Sequence, residues 1–289
     1  MSVLVHYIPE AEKHDRSVYR FDRAGRPWIN EKISNKDHLL ITIGDSWTWG
    51  DSLGNISREH GIHDDFEYRT NHVYGNLLRE YLNCDWLNLA FPGCANSWII
   101  GKLKTTLDIA DKLEYQKITV VCTLTEICRD IVLNTPANIP KTNTLNELLR
   151  WCEANDFQQL KQLMDQADAK FDFIVGRNFT DTFRENYNIL PQYLINETWC
   201  DVLQKQFKFN PYSDTKLVSG IGIEPLIKYL EKENLRVTWQ EELNALLDSA
   251  QIRTDFLSAS PFNSKYATRH PNEQGHQIWA NHLLKYIDN

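Results

Sequence analysis

Two residues are of types and in positions that could do covalent chemistry: a serine in a tight turn directly after an apolar strand, and a histidine just before the last helix. The serine is Ser46 of Gly44-Asp45-Ser46, which follows the run Leu39-Leu40-Ile41-Thr42-Ile43. A turn at that place holds the side chain at the sheet edge with its hydroxyl exposed. A free hydroxyl is a weak nucleophile and needs a general base, most often an imidazole. The histidine is His270 of Arg269-His270-Pro271-Asn272-Glu273-Gln274-Gly275-His276. There Asn272 suits a helix cap and Gly275 permits close packing. A histidine on such a loop can reach across to a serine at the end of the first strand.

The elements that must position this pair are readable in outline. Apolar runs predict strands at 39–43, 86–89, 118–122 and 171–175, with helices at about 73–82, 97–113, 144–169 and 273–286. Residues 47–70 read as loop. Strands alternating with helices imply a parallel sheet covered on both faces. Ligands bind such sheets at the carboxyl ends of the strands. The residues to examine are therefore 44–48, 91–96 and 123–129. Residues 1–37 read as an arm, and 38–289 as one domain with a helical insertion at about 180–258, including helical fragments at 222–233 and 239–250. Arg236-Val237-Thr238 is the one strand-like stretch inside that insertion.

Four blocks resemble the SGNH (GDSL) hydrolase superfamily. They are Ile43-Gly44-Asp45-Ser46-Trp47-Thr48-Trp49-Gly50, then Asn88-Leu89-Ala90-Phe91-Pro92-Gly93-Cys94-Ala95-Asn96-Ser97, then Thr123-Leu124-Thr125-Glu126, and finally His270 to His276. They span residues 39–289 in the family's order. The resemblance implies an α/β fold of flavodoxin-like, three-layer α/β/α type with a central parallel sheet. It also implies a serine esterase or deacylase working through an acyl-enzyme on Ser46, with His270 as base and the Ser46 and Gly93 amides binding the oxyanion. Gly50-Asp51-Ser52-Leu53 spells the family tetrapeptide literally, but it follows Trp49 rather than a strand, so Ser46 is the expected nucleophile.

The chain departs from that family in two places. Where the family has an oxyanion-binding asparagine in block three, this chain has Thr125, and Asn96 competes as a side-chain donor. Loss of one such donor costs about 3–4 kcal/mol of transition-state stabilisation in a known case. The family also places an aspartate three residues before the catalytic histidine, and here that residue is Ala267. The third triad member orients the imidazole and stabilises its charged form. Glu126 or Asp255 could take that part, or the pair could act as a dyad. The alternative is a non-catalytic SGNH-fold binding or structural module with a degenerate triad. Trp47 and Trp49 flank the serine, where one could stack on a sugar face or an acyl group while the other packs in the core, and an O-acetylated sugar is one substrate that would use such a platform. Arg129 reads as a salt-bridge residue with an anionic substrate as its rival partner.

Composition bounds the partners. The chain has 289 residues, with 42% hydrophobic and 24% charged, which excludes wholesale disorder. Lys+Arg is 31 and Asp+Glu is 39, a net charge of −8, which argues against nucleic acid and anionic membrane as partners. The expected partner is a small-molecule or carbohydrate ester. The six cysteines include no Cys-x-x-Cys pair and read as reduced thiols. His60, His63, Asp64 and Asp65 have metal-ligand chemistry, but they read as a solvated loop, and neither metal nor cofactor is expected. The first residues lack the basic start of a signal peptide, which gives a cytoplasmic expectation.

Overall fold

A computed structural model describes residues 33–50, 53, 66–127, 129, 142, 144–178, 183–207, 231, 241 and 270–287. In chain order the elements are β1 (His38–Ile43), α1 (Ser46–Trp49), α2 (Phe66–His72), α3 (Tyr74–Leu82), β2 (Asp85–Asn88), α4 (Asn96–Ala110), β3 (Lys117–Leu124), α5 (Leu145–Asp165), β4 (Phe171–Arg177), a 3-10 turn (Arg184–Ile189), α6 (Trp199–Phe207) and α7 (Glu273–Ile287).

The four strands form one sheet in the order β2-β1-β3-β4, and every pairing is parallel. This begins the flavodoxin-like order, in which the chain reverses direction across the sheet beside β1. The fold is a three-layer α/β/α sandwich, as the sequence predicts. Side chains along β1 alternate between two cores because a strand repeats every two residues. Leu39, Ile41 and Ile43 join Ile99 and Leu103 of α4 and Phe157 and Leu160 of α5 on one face. Leu40 joins Leu78 of α3, Trp199 of α6 and Trp279 and Leu283 of α7 on the other. Both faces of the sheet are covered, which is why its strands read as continuous apolar runs.

The loop reading of residues 47–70 is corrected at its two ends, where α1 and α2 stand, while residues 51, 52 and 54–65 lie outside the described residues. The single turn of α1 is buried on all sides, with Ser46, Trp47, Thr48 and Trp49 all inside. It therefore has no polar face from which a helical period could be read. Strand β3 also runs two residues past the expected end, to Leu124.

Residues 183–207 of the expected insertion are packed into the sandwich. Val175 pairs with Leu194 in a parallel bridge beside β4. Leu190 and Leu194 enter one core, and Ile195, Trp199, Cys200 and Leu203 the other. The helical fragments at 222–233 and 239–250 lie outside the described residues except for Glu231 and Glu241, which are helical. Arg236 to Thr238 and residues 1–32 of the arm also lie outside them. Among the described residues, no helix is long and apolar enough to cross a membrane. Cys84, Cys94, Cys122, Cys152 and Cys200 are buried, and burial pushes Cys122 up to about 12 and Cys84 up to about 11.

Candidate active site

The nucleophile turn is built by local rules at both of its ends. Asp45 caps α1, its carboxylate accepting from the Trp47 amide at 3.0 Å. Gly50 closes the helix in the left-handed conformation (φ 82°), donating to the Ser46 and Trp47 carbonyls. Gly44 is required for another reason. A Cβ there would lie 2.3 Å from Thr48 Oγ1 and 2.9 Å from the Thr123 carbonyl oxygen. Asn88, at the end of β2, holds the turn from the side by donating to the Thr48 carbonyl at 3.3 Å.

Across the sheet end, His270 Nε2 lies 2.9 Å from Ser46 Oγ, although the two residues are 224 positions apart. The neutral tautomer with its proton on Nδ1 accepts the serine proton at Nε2. The helix behind His270 starts as expected, with Asn272 Oδ1 accepting from the Gly275 amide at 3.1 Å. His276, one turn on, is fully buried. Its Nδ1 accepts from the Tyr74 amide at 3.3 Å, and its ring lies 14° from parallel to Tyr74. Burial, with the His270 ring close by, pushes His276 down to about 3, so it stays neutral.

The block-two loop forms a turn of type II character. Pro92 and Gly93 occupy its centre, Gly93 has φ 76°, and the Cys94 amide donates back to the Phe91 carbonyl at 3.4 Å. The Phe91 amide donates to the Gly44 carbonyl at 3.0 Å, which ties this turn to the nucleophile turn. Gly93 is exposed, with open space where a Cβ would stand. Among the described residues, neither the Ser46 nor the Gly93 amide has an acceptor.

The wall behind the serine is polar and closed. Asp45 accepts from Thr125 Oγ1 at 2.8 Å and from Asn178 Nδ2 at 2.9 Å. Asn96 Nδ2 donates to the Thr125 carbonyl at 3.3 Å and to Asp156 at 3.2 Å, while its Oδ1 accepts from the Thr125 amide at 2.9 Å. Both amide hydrogens of Asn96 and the hydroxyl hydrogen of Thr125 are thus engaged inside the wall, away from their expected part as oxyanion donors. Glu126 is completely buried. Its Oε2 lies 2.5 Å from Arg129 Nε, which makes Arg129 a structural ion-pair residue. Asp255, Ala267, Ser52 and the His60–Asp65 loop lie outside the described residues. Among the described residues, no three His, Cys, Asp or Glu side chains group as metal ligands.

The tryptophan platform is also corrected. Trp47 is 3% exposed and Trp49 is 7% exposed. Trp47 packs edge-on to Trp199, and the Arg69 guanidinium covers Trp49 at 4.1 Å. The structure adds Asn88, Asp156 and Asn178 to the site. Asn178 directly follows β4, so the carboxyl-end rule applied to the fourth strand would have reached it. Asp156 lies inside a long helix and carries no such signal.

A Ser–His pair thus stands at the carboxyl edge of a parallel sheet covered on both faces, and the turn that carries Gly93 is tied to the serine turn through Phe91 and Gly44. No family model matches the sequence, and no curated protein matches it. Among solved structures it is similar to an acetylxylan esterase from Geobacillus stearothermophilus (14% identity, 88% of this chain and 95% of that one, TM-score 0.38). It is also similar to a member of the lipolytic G-D-S-L family from Veillonella parvula (13%, 87% and 99%, 0.33). A third is the acetyl xylan esterase Est2A of the rumen bacterium Butyrivibrio proteoclasticus (13%, 89% and 65%, 0.40). Likenesses this distant decide neither reaction nor substrate.

Proposed function

We propose that this protein is a serine hydrolase of SGNH type that cleaves a carboxylic ester through an acyl-enzyme on Ser46. The observation that carries the reading is the 2.9 Å approach of Ser46 Oγ to His270 Nε2, within the reach that base-assisted attack requires. Ser46 Oγ attacks the ester carbonyl carbon while its proton passes to His270 Nε2. The carbonyl oxygen becomes an oxyanion facing the Ser46 and Gly93 amides. Collapse expels the alcohol oxygen, which takes the proton from His270. Water then repeats the sequence on the acyl-enzyme and releases the carboxylic acid and free Ser46. The substrate is a small-molecule ester. Burial of Trp47 and Trp49 removes the feature that pointed to a carbohydrate.

One observation favours a second reading, a non-catalytic module of the same fold. The hydrogen-bond donors of the Thr125 and Asn96 side chains are engaged elsewhere, which takes away the expected side-chain contribution to the oxyanion hole. A fluorophosphonate probe separates the readings. The wild type should label stoichiometrically and hydrolyse p-nitrophenyl acetate, and Ser46→Ala should lose both. Absence of labelling in the folded wild type, or turnover that survives Ser46→Ala, overturns the hydrolase reading.

A further inference from the structure

Arg129 stands where three separate parts of the site meet. Only 5% exposed, it places Nε 2.5 Å from Glu126 Oε2 at the end of β3 and Nη1 3.7 Å from Asp45 Oδ2 at the nucleophile turn. The same Nη1 donates to the Cys94 carbonyl at 3.3 Å. Cys94 is the exit residue of the turn that presents Gly93. Its amide closes that turn onto Phe91, and its Sγ donates to the Gly44 carbonyl at 3.4 Å. A planar guanidinium can serve several acceptors at fixed angles, which a lysine ammonium on a flexible stem does not reproduce.

We infer that Arg129 is a positioning residue that holds the Gly93 donor turn in register with Ser46 by tying the Cys94 carbonyl to the buried carboxylates of Asp45 and Glu126. This rests on the hydrolase reading for its catalytic consequence, but its structural content is independent of it. On the hydrolase reading the Gly93 amide has to stay free to receive the reacting oxygen, so Gly93 carries no anchor of its own. Its position is therefore set from the neighbouring residue. A displaced donor loses most of its effect, since misplacement by about 1 Å can cost on the order of 100-fold in rate.

The test uses the full chain. Arg129→Lys retains a charge for Glu126 and Asp45 but not the fork. Glu126→Gln with Arg129→Met removes the buried pair together without stranding the Glu126 charge, while Asp45 keeps its hydrogen bonds from the Trp47 amide, Thr125 and Asn178, so the question stays open to measurement if the single variant does not fold. The first readout is hydrogen exchange of a peptide covering residues 91–97. It should exchange at least about 10-fold faster in either variant, with peptides from β1 and β3 unchanged. The second is kcat for p-nitrophenyl acetate per fluorophosphonate-labelled site. It should fall roughly 10- to 100-fold with KM little changed, because only transition-state binding is lost. A merely structural role lowers the labelled fraction and leaves turnover per labelled site intact. Unchanged exchange in the 91–97 peptide overturns the inference whether or not the protein is a hydrolase. Faster exchange with unaltered turnover per site overturns its catalytic half. A wild type without Ser46-dependent labelling overturns the hydrolase reading alone, and exchange still decides the clamp.

Discussion

The two faces of the sheet are built from different materials. The face under α4 and α5 is largely aliphatic, with Leu39, Ile41, Ile43, Ile99, Leu103, Ile118, Val120 and Leu160 in its core. The face under α3, α6 and α7 is aromatic, with Trp47, Tyr74, Trp86, Trp199 and Trp279. Trp199 is its hub, with its ring centroid 5.1–5.4 Å from those of Trp47, Tyr74, His276 and Trp279. The aromatic rings also carry polar handles that the aliphatic side chains lack. Trp199 Nε1 donates to the Gly275 carbonyl at 3.3 Å. Tyr74 Oη donates to Thr48 Oγ1 at 3.4 Å, and Trp86 Nε1 donates to Thr42 Oγ1 at 3.0 Å. One face fills space, whereas the other also ties the serine turn to the helix behind His270.

That difference predicts unlike outcomes for substitutions of similar cost. Leu160→Ala on the aliphatic face should cost about 2–5 kcal/mol and leave turnover per labelled site near the wild-type value. Trp199→Phe should cost less stability, roughly 1–3 kcal/mol, yet lower turnover per site several-fold, because it frees Gly275 and loosens the contacts of Trp47 and His276. Thermal unfolding with active-site titration reads both quantities. Equal effects on turnover would erase the functional distinction between the faces.

The faces should also respond to pH with opposite sign. On the aromatic side, His276 is pushed down to about 3 by burial and by His270. The unfolded chain therefore binds the proton more tightly, and stability rises as pH climbs from about 3 to 6.5 and is lost on acidification. At about 1.4 kcal/mol per unit, this is worth a few kcal/mol. On the side of α5, burial is the main cause that pushes Glu153 up to about 7, against hydrogen bonds from Asn186 and the Phe183 amide. There the folded state holds the proton, so stability falls as pH rises from about 4.5 to 7. Denaturant midpoints from pH 3 to 8 should show the acid-side slope vanish in His276→Gln and the neutral-side decline vanish in Glu153→Gln. A single slope common to both variants would refute the contrast.

Two smaller effects sharpen the picture at the strand ends. Gly44→Ala puts a methyl group 2.9 Å from the Thr123 carbonyl oxygen, a backbone atom that cannot swing away. It should cost about 1–3 kcal/mol and reduce labelling of Ser46. Trp86→Phe should cost only about 1 kcal/mol, since it loses chiefly the bond to Thr42 and leaves β2 paired, as a thermal melt would show.

Much of this was legible from local sequence, and the reasons are physical. A continuous apolar run ending in Gly-Asp-Ser has few alternatives to a buried strand and a capped turn, so β1 and Ser46 followed directly. Asn272 before Glu273 likewise announced the start of α7. These rest on interactions among residues a few positions apart. The partners of Thr125, Asn96, Arg129 and Asn178 were not legible, because each hydrogen bond or ion pair chooses among many polar groups that only the folded chain brings near. For the same reason local sequence left one of Trp47 and Trp49 as a platform beside the serine, and both proved to be core. Local sequence determined the parallel sandwich, the turn that offers Ser46 and the helix start that offers His270. Tertiary structure alone decided that they meet at 2.9 Å and that Asp45 braces the turn, because the sheet order and the aromatic packing set distances across 224 positions that no local rule encodes.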